Sequence, residues 1–270
     1  QRQMCIRDRR TELLSKLYDD FGIDQLPHTQ HGVTSDRLGK LYEKYILDIF
    51  KDIESLKKYN TNAFPQEKDI SSKLLKALNL DLDNIIDVSS SDTDLGRTVA
   101  GGSPKTDATI RFTFNNRSSR LVPLNIKHSS KKKVSIAEYD VETICTGVGI
   151  PDGELKELIR KHQNDQSAKL FTPVQKQHLT ELLEPYRERF IRWCVTLRAE
   201  KSEGNILHPD LLIRFQVIDR EYVDVTIKNI DDYVSDRIAE GSKARKPGFG
   251  TGLNWTYASG SKAKKMQFKG

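Results

Sequence analysis

Residues 241–270 contain no aspartate or glutamate, although the chain as a whole carries 38 acidic residues. The same stretch holds Lys243, Arg245, Lys246, Lys262, Lys264, Lys265 and Lys269. Setting those seven aside from the 44 basic residues leaves 37 against 38 acidic, so the formal charge of +6 resides in this segment. A surface that neutralises its own lysines is therefore excluded there. Phe249, Trp255, Tyr257 and Phe268 alternate with the basic residues, and Gly248, Gly250, Gly252, Gly260 and Gly270 loosen the backbone. A solvated tail rarely keeps hydrophobes such as Leu253 and Met266. A basic, acid-free stretch with aromatics suits a polyanion with accessible edges, nucleic acid above all.

Cysteine is also scarce. Cys5, Cys145 and Cys194 are odd in number and scattered, which excludes a disulfide scaffold and a zinc finger and reads as free thiols in a reducing, cytoplasmic setting. None of the six histidines pairs with another at zinc-binding spacing. There is no apolar run of membrane-spanning length, no secretory pattern and no internal repeat. Gly248-Phe249-Gly250-Thr251-Gly252 lacks the Gly-Lys-Ser/Thr ending of a phosphate loop, which excludes ATP binding by that route. Residues 1–9 lack a helical stripe and carry a stray Met4 and Cys5; they read as an appended or disordered leader.

Apolar spacing predicts helices over 11–21 and, with Ser35-Asp36 as a start, through Leu38, Leu41, Tyr42, Tyr45, Ile46, Ile49, Phe50 and Ile53. Glu43 within that stripe reads as a surface glutamate, the alternative being an auxiliary acid that reaches a metal through water. Further helices are expected over 65–80, 136–146, 153–162, 173–198 (bent near Pro185) and 231–239, with a strand over 84–88.

Two hairpins stand out. In the first, strands over 107–114 and 121–127 flank the turn Asn115-Asn116-Arg117-Ser118-Ser119. Antiparallel pairing brings Asp107 to the end occupied by Asn125 and Lys127, which share a face across Ile126. One carboxylate with the Asn125 amide oxygen and the Ile126 carbonyl forms a hard-oxygen set suited to Mg²⁺. Lys127 would then hold an attacking water and balance charge on a phosphate. Relative to the pattern Asp, spacer, Asp/Glu, any residue, Lys, this chain has Asn in place of the second acid. The other reading is an ordinary hairpin with a turn Asp and an exposed Lys. In the second hairpin, Asp210 opens the run 211–217 and Thr226-Ile227-Lys228 ends the return strand. Threonine is the poorer ligand, so this one reads as a structural hairpin. The loop Ser129-Ser130-Lys131-Lys132-Lys133 follows Lys127 directly and can clamp phosphates.

The block Lys105-Thr106-Asp107-Ala108-Thr109, the segment Leu124-Asn125-Ile126-Lys127-His128, the stretch 11–21 and the lysine-rich end together resemble type II restriction endonucleases of the PD-(D/E)xK class, along almost all of 10–270. The resemblance implies an α/β fold with a mixed central β-sheet flanked by helices, forming a single endonuclease domain over 10–270 in which 241–270 is the basic DNA-recognition segment. It implies Mg²⁺-dependent cleavage of double-stranded DNA at CCGG with 5′ overhangs, and a cognate DNA methyltransferase in the same host. Asp107, Asn125 and Lys127 match its catalytic positions. For base reading it points to Ser135, Thr256, Ser259, Gln267 and Lys269, types that suit guanine acceptors and cytosine donors in the major groove. Lys131, Lys132, Lys262, Lys264 and Lys265 then hold phosphates and set register. A palindromic site admits a symmetric dimer, whereas one tail and one lysine loop admit a single chain reading it asymmetrically. A non-catalytic DNA-binding protein and a structure-directed repair nuclease are the alternatives.

Overall fold

Thr11 accepts a hydrogen bond from the Leu14 amide and so opens α1 (Glu12–Asp20), whose Leu14, Leu17 and Tyr18 are buried. The structure, a computed structural model, describes residues 10–92, 104–201, 205–258 and 264–270; the leader expected over 1–9 lies outside these. The second helix, α2 (His31–Ile49), begins before the expected Ser35-Asp36 start and stops short of Ile53. It stops because the Asp52 carboxylate accepts from the Ser55 amide at 2.7 Å and caps a separate helix, α3 (Ile53–Tyr59). Pro65 opens α4 (Pro65–Ala77) at a position where a missing N–H is harmless.

The strands β1 (Ile85–Ser91), β2 (Ala108–Phe114), β3 (Ser119–Ser129), β5 (Leu211–Ile218) and β6 (Glu221–Asn229) form a five-stranded sheet in the order β1-β2-β3-β5-β6. All neighbours are antiparallel except β3 and β5, which run parallel. The fold is thus mixed α/β, a mixed sheet flanked by helices, as expected. Val122, Leu124 and Ile126 of β3 join Ile110, Phe112, Ile213 and Phe215 in one core with Leu41, Tyr42, Tyr45 and Ile49 of α2. The intervening β3 residues, Asn125 and Lys127 among them, take the other face. The second predicted hairpin forms as β5 and β6 and gives the sheet its parallel neighbour to β3.

The chain divides into two compact units. The first carries α1–α4 and the five-stranded sheet. The second carries β4 (Ser135–Tyr139), α5 (Val141–Val148), α6 (Glu154–Asp165), α7 (Pro173–Leu183), α8 (Arg187–Thr196), α9 (Ile230–Gly241), β7 (Asn254–Thr256) and β8 (Met266–Lys269). A 3₁₀ turn over Glu184–Tyr186 separates α7 from α8 at Pro185, where the bend was expected.

One element differs in kind. The helix predicted over 136–146 begins as strand β4, because Ser135–Tyr139 pairs with β8, and the helix starts only after Asp140 caps it through the Thr143 amide. β4, β8 and β7 form a three-stranded sheet in that order. Its inner side rests on Phe190 of α8, which stacks on Trp255 at 5.4 Å and meets Phe268 edge-on at 5.2 Å. The glycines of this region serve packing: Gly252 has a φ of +67°, and a Cβ there would lie 2.1 Å from the Arg237 carbonyl of α9. No helix among the described residues is long and apolar enough to cross a membrane.

Candidate active site and nucleic-acid interface

The turn between β2 and β3 sets the register of the first site. Asn116 Oδ1 accepts from the Ser118 amide at 2.9 Å, and Arg117 adopts a left-handed φ of 64°. From there the ladder runs to Ala108 opposite Leu124, and one step further sets Asp107 opposite Asn125. The Asp107 amide donates to the Leu124 carbonyl at 2.7 Å. Its carboxylate continues the ladder in place of a backbone acceptor: Oδ2 accepts from the Ile126 amide at 2.7 Å and from Lys127 Nζ at 3.0 Å. Asn125 is fully buried beside them. Asp107, Asn125, Ile126 and Lys127 are therefore brought together at one strand end. Both donors engage the same carboxylate oxygen, Oδ2.

Glu43 corrects an expectation. It is not an exposed surface residue but a half-buried one on α2. Burial and the Asp107 charge push its carboxyl up to about 7, against the opposing pull of Lys127. Two carboxylates that repel across a site are the arrangement a divalent cation relieves. Among the described residues no cluster of three His, Cys, Asp or Glu is arranged to hold a metal. The donor set that remains is one carboxylate, an amide oxygen and a backbone carbonyl, with Glu43 in reserve, and this hard-oxygen character fits Mg²⁺.

His128 turns to the opposite face, as strand alternation requires. It lies 6.4 Å from the Tyr42 ring, its Nε2 is 2.9 Å from the Ser35 carbonyl, and burial lowers its pKa. The parallel register sets Arg214 beside Lys127. Arg214 donates to the Lys132 carbonyl and so ties down the loop that carries exposed Lys131 and Lys132. The sequence had not singled out Arg214, because a cation inside an apolar run carries no signal until the strand beside it is known.

The second unit gathers the expected base-reading residues on the small sheet. Ser135 and Asn254 both lie opposite Lys269, and Thr256 lies opposite Gln267. Met266 and Phe268 are fully buried, so by alternation Gln267 and Lys269 take the other, polar face. Lys133 Nζ donates to Asn254 Oδ1 at 2.8 Å at the rim of that face. Lys264 and Lys265 are exposed just before β8. Ser259 and Lys262 lie outside the described residues. The structure adds Glu138, which pairs with Gln267 across the sheet.

A family model described as restriction endonuclease MspI matches residues 25–270. The type II restriction enzyme MspI of Moraxella sp is 98% identical over 261 residues, 97% of this chain and 100% of that protein. The type II restriction enzyme BsuFI of Bacillus subtilis is 26% identical over 264 residues, 88% of this chain and 60% of that protein. The crystal structure of restriction endonuclease MspI in complex with its cognate DNA superposes with a TM-score of 0.94 at 98% identity, covering 97% of this chain and 100% of that one. With a family model that matches residues 25–270 and this extent of identity, the chain belongs to the MspI family of type II restriction endonucleases.

Proposed function

We propose that this chain is a site-specific nuclease that hydrolyses double-stranded DNA at CCGG, with Mg²⁺ as cofactor, leaving 5′ overhangs. The observation that carries the reading is the Asp107 carboxylate, held by the Ile126 amide at 2.7 Å and Lys127 Nζ at 3.0 Å beside buried Asn125. Its near-identity to an enzyme crystallised with cognate DNA supports duplex DNA as the partner.

Asp107, Asn125 and the Ile126 carbonyl would hold the cation, which when bound supplies Lewis-acid polarisation of the phosphate and a more acidic water. Lys127 positions the attacking water and offsets the negative charge that builds on the phosphate oxygens. Asp107 orients that ammonium through the contact at Oδ2. Glu43, with a carboxyl near 7, is poised to take up the proton that the attacking water sheds.

On the second unit, Ser135, Thr256, Gln267 and Lys269, with Ser259, read base edges; lysine, glutamine and serine match guanine O6 and N7 and cytosine N4. Lys131, Lys132, Lys262, Lys264 and Lys265 hold phosphates and set register. One chain then carries one catalytic end and one reading face, sufficient for action as a monomer on the palindrome. A nuclease for so short a site would cut its host's own DNA, so a methyltransferase that modifies the same site is its expected companion in the cytoplasm.

Plasmid digestion with Mg²⁺ or with EDTA, followed by sequencing of fragment ends, tests the reading. Discrete fragments sharing CCGG at their ends in the Mg²⁺ lane alone are expected. A retarded but intact plasmid would mean a binder, and ends without a common sequence a structure-directed nuclease.

A further inference from the structure

The polar face of the small sheet consists of two rows, each crossing all three strands. Ser135, Lys269 and Asn254 form one; Glu138, Gln267 and Thr256 form the other. A register shift between Ser135 and Ala137 produces this arrangement. Without it, alternation from Ser135 would bring Ala137 and Tyr139 to the polar side and turn Glu138 inward. The bulge therefore places a carboxylate on a face otherwise made of cationic and neutral polar groups.

A carboxylate here works against binding DNA. It repels phosphates, and among the described residues Glu138 makes no ion pair that would neutralise it. Its partner is an amide instead: Gln267 Nε2 donates to Glu138 Oε2 at 3.4 Å. On the opposite side, Thr256 Oγ1 lies 3.3 Å from Gln267 Oε1 and 3.1 Å from the Gln267 carbonyl. The Gln267 side chain is thus held at both ends of its amide.

A glutamine amide has two orientations of nearly the same shape that exchange donor and acceptor. A carboxylate only accepts, so a hydrogen bond to Glu138 forms in just one of them, with Nε2 toward Glu138. The Thr256 hydroxyl can donate or accept and so suits either orientation, which leaves the choice to Glu138. In the orientation that Glu138 selects, the second N–H of Nε2 remains to donate to guanine O6 or N7, and Oε1 retains a lone pair for cytosine N4. In the flipped state an oxygen would meet the guanine acceptors.

We propose that Glu138 is a specificity-positioning residue that fixes the Gln267 amide in its guanine-reading orientation and does so at the expense of general DNA affinity. The proposal rests on the small sheet being the base-reading face. Glu138→Gln keeps the shape but can donate or accept, so both Gln267 orientations become satisfied and one negative charge is lost.

The test uses the full chain and compares cleavage of a CCGG duplex with duplexes altered at one base pair, together with binding to a duplex that lacks the site. Glu138→Gln is expected to lower the kcat/KM ratio of cognate over altered sites about tenfold and to tighten binding to the site-free duplex about threefold. In a Gln267→Ala background the same substitution should leave the ratio where Gln267→Ala alone puts it. Glu138→Ala should lower the ratio likewise, which guards against an effect peculiar to the glutamine. An unchanged ratio for Glu138→Gln, or an equal further fall in the Gln267→Ala background, would overturn the proposal. If Gln267→Ala itself leaves the ratio unchanged, the small sheet is not the reading face and that reading fails first.

Discussion

The Asp107 cluster and the polar face of the small sheet are held in different ways. At the end of β3 the backbone fixes the geometry: the Asp107 carboxylate takes the place of a strand acceptor, and Lys127 follows from alternation. Charges there are forced together, and Glu43 is held above its ordinary range by burial and by Asp107. On the small sheet the backbone supplies only a flat platform, while side chains hold one another through the row Thr256, Gln267, Glu138. The first region holds like charges close together; the second has mutual hydrogen bonds that fix which atoms its polar face presents.

The sharpest way to break this comparison is to remove the lysine. Lys127→Ala is expected to reduce cleavage by at least about 10³-fold while specific duplex binding persists, and Asp107→Ala should behave alike; digestion and gel-shift assays run side by side read both. Binding lost together with cleavage would mean that the two regions are not separable. Lys269→Ala attacks the other region and should weaken cognate binding by roughly 10- to 100-fold, measured by titration of labelled duplex. A point change is the right probe because Met266 and Phe268 are fully buried; deleting β8 would dismantle the sheet along with its reading face.

Glu43→Gln separates strain from function. Its carboxyl rises from 4.5 to about 7 in the fold, so the folded state binds the proton more tightly than the unfolded one. Stability from this group is then present below the unfolded value and lost as pH rises through about 7. Above pH 7 the metal-free variant should melt a few degrees higher, about 3 °C, while cutting roughly tenfold more slowly. A variant both more active and more stable would end the idea that strain is used there.

The last prediction concerns the second unit, and it reads stability alone. His162 is buried against Phe171, Phe249, Trp255 and Tyr257, and burial lowers its pKa from 6.5 to about 4. The unfolded chain binds that proton first, so stability is full above about 6.5 and falls as pH drops toward 4. The loss reaches at most ~3 kcal/mol. Thermal unfolding at pH 7 and pH 5 checks it, and His162→Gln should flatten the dependence.

Much of the Asp107 cluster is legible in the sequence, because a hairpin with a polar turn fixes its own register and so places Asp107 beside Asn125 and Lys127. Thr256, Gln267 and Lys269 carry no such local signal, and only the family resemblance points to them. In the sequence β4 reads as helix, since its partner β8 lies more than a hundred residues away and five residues show too little periodicity to announce a strand. Glu43 reads as a surface residue in the sequence because helical spacing gives its position on the stripe's flank but not what the flank approaches. Glu138 left no trace in the sequence, for the bulge that exposes it exists only in the pairing of two strands.

By itself the sequence determined where the charge lies, that Asp107, Asn125 and Lys127 meet, and that the acid-free end suits a polyanion. These follow from local alternation, turn chemistry and composition, which act over a few residues. Only the tertiary structure decided that β5 lies parallel to β3, that Glu43 feels Asp107, and that the chain's basic end builds a sheet with β4. Each of those depends on contacts between distant segments, where backbone pairing and burial, rather than nearest neighbours, set the free energy.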